Sequence, residues 1–174
     1  MEKIANGILS ERVRRQRPTS ARLGFEHRGV MLASVTRLRV RSLRFVPLFL
    51  WKTFLSQRQV LRTPGFLGGR LLVDSGLTFW TLTGWESEQA MKAFRGAGAH
   101  ARVMPRLAEW CNEAAYAHWV QTGDTVPTWD EAYERLAADG RLSRVARPTR
   151  NHSERQFARP RLSPLIGQNL KPKG

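Results

Sequence analysis

From Leu32 to Ser42 apolar and polar residues alternate, with Leu32, Leu38 and Val40 on one side and Arg37, Arg39 and Arg41 on the other. A period of two predicts a strand. Pro47 then suits the first turn of a helix running to about Arg62, with Leu48, Trp51 and Leu55 on one stripe and Phe54 and Leu61 nearby. Pro64-Gly65 ends that helix. Phe66 to Val73 has the length and composition of a second strand, weakened or bulged at Gly68-Gly69, and Asp74-Ser75-Gly76 turns it into a third, Leu77 to Trp85, rich in Thr and aromatics.

Ser87 is placed to cap the next helix, whose first turn carries Glu88 and whose inner stripe is Ala90, Met91, Phe94 and Ala97. Gly96 and Gly98 stop it. The chain restarts as a helix around His100, with Val103, Leu107 and Trp110 on one face; Pro105 demands either an early position or a kink. Ala115 to Val120 reads as a fourth strand. Thr128-Trp129-Asp130-Glu131 is a capping box opening a further helix that Gly140 closes.

Strand, helix, strand, strand, divided helix, strand is the order of an α+β ferredoxin-like sandwich, a split β-α-β repeat with helices on one face of an antiparallel sheet. The other face of such a sheet is bare. Exposed apolar surface of that extent predicts a homodimer, in which two sheets close into a dimeric α/β barrel with a cavity between them.

Charge changes this picture only at the ends. The net charge of +15 divides into +4 over residues 1–30, +3 over 31–140 and +8 over 141–174. The expected organisation is therefore a flexible extension over 1–30, a domain over 31–140, and a disordered Arg- and Pro-rich tail over 141–174. Patterned sequence begins at Met31, which raises the expectation that translation starts there. A nucleic-acid partner engaged by the Arg-rich ends is the weaker alternative, because aromatics are scarce in them. Cys111 is the single cysteine, which excludes an internal disulfide and suits a small core residue in a reducing compartment. The longest apolar run, Phe45 to Trp51, is far short of a membrane span, so a cytoplasmic protein without a membrane partner is expected.

The stretch Trp85-Glu86-Ser87-Glu88-Gln89-Ala90-Met91-Lys92-Ala93-Phe94 resembles the strand-to-helix segment of the dimeric α/β-barrel superfamily. That superfamily includes antibiotic-biosynthesis, haem-degrading and spheroidene monooxygenases. Gly98-Ala99-His100, Trp110, Ala117-His118-Trp119 and Pro127-Thr128-Trp129-Asp130-Glu131-Ala132 are similar to a poorly characterised bacterial branch of it, labelled monooxygenase-like. The resemblance covers about residues 32 to 140. It implies a monooxygenase-like protein that binds a small apolar or aromatic molecule, either with haem or without any cofactor. Some members have no demonstrated chemistry, so a ligand-binding or structural protein is the alternative. Asn112, the only Asn in the patterned region, does not match the family's Asn, Trp and His combination.

His100, following two glycines at a helix start, is a candidate base or axial haem ligand, because the positive end of a helix dipole favours neutral imidazole. His118 is the second candidate for handling a proton. It alternates with Trp119 on a strand, so one of the pair faces the helices. Trp80 and Trp85 likewise occupy opposite faces, and either could wall an aromatic pocket. Arg37, Arg39, Arg41 and Arg70 are candidates for holding a carboxylate if their faces converge on the cavity; otherwise they solvate or protect the sheet. No phosphate-binding glycine loop, serine-hydrolase elbow or zinc motif is present.

Overall fold

A computed structural model describes residues 29–161 and 167–172. The expected N-terminal extension, apart from its last two residues, lies outside the described residues. The chain runs through β1 (Val30–Val40), a short 3-10 turn (Leu43–Phe45), α1 (Val46–Val60), β2 (Phe66–Asp74), β3 (Thr78–Trp85), α2 (Glu88–Arg95), α3 (Gly98–Trp110) and β4 (Cys111–Thr122). It continues with α4 (Trp129–Asp139), β5 (Arg141–Leu142), α5 (Arg150–Ser153) and β6 (Gly167–Leu170). All strands pair antiparallel in the order β5-β4-β1-β3-β2-β6. The inner four strands, β4-β1-β3-β2, have the ferredoxin-like order, and the fold is α+β as expected.

Local chemistry explains the boundaries. The Ser87 hydroxyl accepts from the Ala90 amide at 3.1 Å, and Thr128 accepts from Glu131 at 3.2 Å, each satisfying a free amide of a first helical turn. The β2 register shifts between Phe66 and Gly68, the expected bulge. Gly140 is extended rather than left-handed, at φ −60°. Glycine is needed there because a Cβ would lie 2.1 Å from the Leu136 carbonyl oxygen. Pro105 sits within α3 rather than near its start. β4 follows Trp110 directly, so Asn112 is a strand residue.

The far face of the sheet, opposite α1, α2 and α3, is not bare. Ala33, Val35, Leu72, Trp80, Leu82, Ala117 and Trp119 on that face pack with Trp129, Ala132 and Leu136 of α4 and with Phe157. The bare face from which sheet pairing was expected is thus covered within one chain. The tail expectation also needs correction for its described residues. β5 and β6 extend the two sheet edges, and Val145, His152 and Leu170 are buried. Val145 and Leu170 join apolar clusters against the sheet, and hydrogen bonds to β4 hold the segment between Ser143 and His152. Among the described residues no helix is long and apolar enough to cross a membrane.

Candidate functional site

Strand register determines what the helices look down upon. Ser34 of β1 lies between Thr83 of β3 and His118 of β4, and Thr36 lies between Thr81 and Tyr116. Successive residues alternate between faces, so these two rows share the face turned toward the helices. That face is therefore rich in hydroxyls where a packed core would be aliphatic. Across from it, α1 presents Thr53, Ser56 and Gln57 between buried Phe49 and Val60. The two polar stripes do not close on each other. Between them lies a cavity of about 570 Å3, walled also by Phe79, Trp85, Phe94, Val103 and Leu107.

Both candidate histidines line this cavity. His100 is the third residue of α3, and its ring centroid is 4.5 Å from that of Phe94. Its backbone amide donates to Gln59 Oε1 at 3.0 Å. The Gln59 amide group donates in turn to the Phe94 and Ala97 carbonyls, tying α1 to the junction of α2 and α3. The buried Nδ1 of His100 has no hydrogen-bond partner, nor has the Ser56 hydroxyl. Burial lowers the His100 pKa; the nearby Arg95 backbone works in the opposite sense, and the Arg95 charge reinforces the lowering. The His118 ring centroid lies 5.2 Å from that of Tyr116. Burial, then the charges of Arg95 and Arg141, lower its pKa against a smaller opposing effect of Glu88. Both imidazoles are thus held toward the neutral form.

Trp85 has the cavity side of β3, where its indole N–H donates to Thr83 Oγ1 at 2.9 Å. Trp80 and Trp119 point the other way, into the core beneath α4. The arginines do not converge on the cavity. Arg37 and Arg39 both bind Glu113 on the far face, at 2.5 and 3.1 Å, and Arg37 also lies over the Trp80 and Phe157 rings. Arg70 is opposite Leu82 in the register and shares that far face. Arg41 donates to the Glu109 carbonyl at 2.7 Å. The cations that do reach the cavity are Arg95 and Arg144, both exposed, and among the described residues no Asp or Glu lines it.

The hydroxyl rows, Tyr116 and the polar side of α1 were missed by the sequence reading. A signal existed: Ser34, Thr36, Thr81 and Thr83 recur at a period of two on the strand faces opposite to the arginines and Trp80. Among the described residues no cluster of His, Cys, Asp and Glu could hold a metal ion. The buried, unpartnered Nδ1 of His100 beside aromatic walls has the donor chemistry that would hold a haem iron, and a neutral imidazole also has the chemistry of a base.

The architecture defines a ferredoxin-like α+β domain with a cavity between its helices and its sheet. The chain belongs to the DUF3291 family, a domain of unknown function, which it matches over residues 47–143. No curated protein matches it. Similar solved structures include a protein of unknown function from Nitrosomonas europaea, 14% identical with a TM-score of 0.49, the match covering 58% of this chain and 98% of that one. SnoaB, a cofactor-independent oxygenase from Streptomyces nogalater studied as a variant, is 14% identical with a TM-score of 0.42 and shares 55% of this chain and 94% of its own. MhuD with two manganese protoporphyrin IX molecules bound per active site is 24% identical, with a TM-score of 0.38, over 51% of this chain and 91% of that one.

Proposed function

We propose that this chain binds a small aromatic or largely apolar molecule in the cavity between α1, α2, α3 and the sheet, and oxygenates it, with His100 or His118 accepting the substrate's proton. The observation that carries the reading is the pair of imidazoles, both kept toward neutrality by burial, on the wall of a mostly apolar cavity. A neutral imidazole is the form that takes a proton. Arg95 and Arg144 supply the positive field that stabilises the anion so formed.

The balance is complete without an external reductant when dioxygen is the oxidant. A methylene activated by flanking rings loses a proton to imidazole, the carbanion reduces dioxygen, one oxygen atom becomes the new carbonyl and the other leaves as water. Should haem occupy the cavity instead, His100 would hold its iron and the porphyrin would supply dioxygen activation. Apolar walls exclude water from the reacting carbon in either case.

The test uses the full chain and a tricyclic anthrone as probe. Binding is read by tryptophan fluorescence and turnover by oxygen uptake in the presence of a chelator. Thr53→Phe, which fills the cavity from α1, is expected to weaken binding by roughly tenfold or more; unchanged affinity would reject the cavity as the site. Loss of oxygen uptake in His100→Phe and His118→Phe with binding retained supports the proton-transfer role. Binding with no oxygen uptake by the native chain identifies a ligand carrier instead. A Soret band on adding haemin that His100→Ala abolishes selects the haem form.

A further inference from the structure

α1 is turned inside out. Its sheetward positions include Thr53 and Ser56, while Leu48, Leu50, Trp51 and Phe54 are exposed at 45, 45, 55 and 46%. The expected stripe of Leu48 and Trp51 against the sheet is accordingly reversed. Trp51 and Phe54 stack with centroids 5.9 Å apart, and exposed Met104 of α3 adds to the apolar surface. Leu50, Phe54 and Met104 also line the cavity, so the patch borders its opening.

The charges on α1 itself have one sign. From His27 to Val73 the sequence holds no Asp or Glu, and α1 itself carries Lys52 and Arg58. Arg58 lies 5.9 Å from the Phe54 ring centroid and one turn further along the same outward side, so apolar and cationic groups are neighbours on one surface. We infer that this face of α1 docks on an anionic lipid surface, with the mouth of the cavity toward the acyl chains. A second copy seated face to face would set like cations against each other, whereas lipid phosphates complement them. Fifteen residues are too few to span a bilayer, and Trp, Phe and Leu beside Lys and Arg is the composition of an interfacial helix. An apolar substrate would then enter from the bilayer without crossing water.

The experiment is co-sedimentation of the full chain with vesicles of phosphatidylglycerol and phosphatidylcholine, compared with phosphatidylcholine alone. Binding is expected to the anionic vesicles, with Trp emission quenched by brominated acyl chains. Trp51→Ser with Phe54→Ser keeps every charge and touches only exposed side chains, and should weaken binding roughly tenfold. Trp51→Phe should retain it. Undiminished binding of the double variant would assign adhesion to basic charge alone and overturn the proposal. So would a chain that ignores vesicles and sediments as a dimer that the double variant splits. Neither readout depends on turnover, so failure here leaves the oxygenation reading standing, and the reverse.

Discussion

Arg37 and Glu113, 76 residues apart in sequence, meet at 2.5 Å on the sheet face away from the cavity, with the carboxylate 2% exposed. Arg39 and the Thr149 hydroxyl complete its partners, so the segment after Gly140 is held to the sheet through the same group. Burial alone raises the Glu113 pKa, but Arg37, then Thr149 and Arg39, outweigh it and leave the carboxyl below its usual range.

Removing one partner of a buried pair is costly because the other charge is stranded. Glu113→Ala should therefore destabilise the fold by about 3 kcal/mol or more, roughly 6–12 °C in Tm for a chain of this size. Replacing both groups by apolar residues, Arg37→Met with Glu113→Leu, should recover much of the loss. Calorimetric melting of the three proteins checks this, and a Glu113→Ala protein as stable as the parent would deny the pair its anchoring role. Affinity for a cavity ligand should be unchanged in each, since the pair lies across the sheet from it.

Parity along strands was legible: Trp80 and Trp85 do face opposite ways, as do His118 and Trp119. Which parity faces the helices depends on tertiary packing, and the reading that a bare sheet lay beneath ignored α4 as a cover. Trp129 and Leu136 of its apolar stripe fill that place. The arginines illustrate the same limit. Their common face was evident, but their partner Glu113 sits in a stretch whose strand character is hidden behind Trp110, and pairing across such a separation is set by register alone. α1 misled for a different reason. Amphipathicity is normally read with the apolar side inward, whereas α1 turns Thr53 and Ser56 to the cavity and Trp51 and Phe54 to solvent.

Gln59 is the link that should couple stability to His100. Gln59→Leu strands the His100 amide and takes one donor from each of the Phe94 and Ala97 carbonyls, which keep backbone partners, and should cost about 1–2 kcal/mol. Gly98 belongs to the same joint. It has φ +59°, and a Cβ there would stand 2.6 Å from Gln59 Oε1, so Gly98→Ala should cost about 1–2 kcal/mol by backbone strain and disturb the same hydrogen bonds. Urea unfolding of the single and double variants should show losses that do not add; strict additivity would mean the two residues act separately.

Cys111 is fully buried and its thiol is pushed up to about 12 by desolvation. Thiolate is the reactive form, so the native protein should not react with a disulfide reagent at neutral pH and should release one thiol equivalent on denaturation. Rapid labelling of the folded chain would show that β4 opens.

The pH dependence of stability should have two limbs of the same sign. His100 and His118 have pKa values below 6.5 in the folded chain, chiefly through burial, and His152 shares that direction, again chiefly through burial. As pH falls through about 6.5 the unfolded chain takes up protons that the folded chain refuses, so stability drops until the folded values are reached. Glu113 acts lower. Its folded pKa lies below 4.5, so its contribution is present above that value and is lost as pH falls through the folded one. Urea midpoints between about pH 2 and pH 8 should trace both limbs. His100→Phe with His118→Phe should flatten the upper limb, leaving the part due to His152, while Glu113→Gln should remove the lower one. An upper limb unaltered by the double substitution would mean that the cavity imidazoles titrate as they would in water, and the proton-accepting role proposed for them would lose its basis.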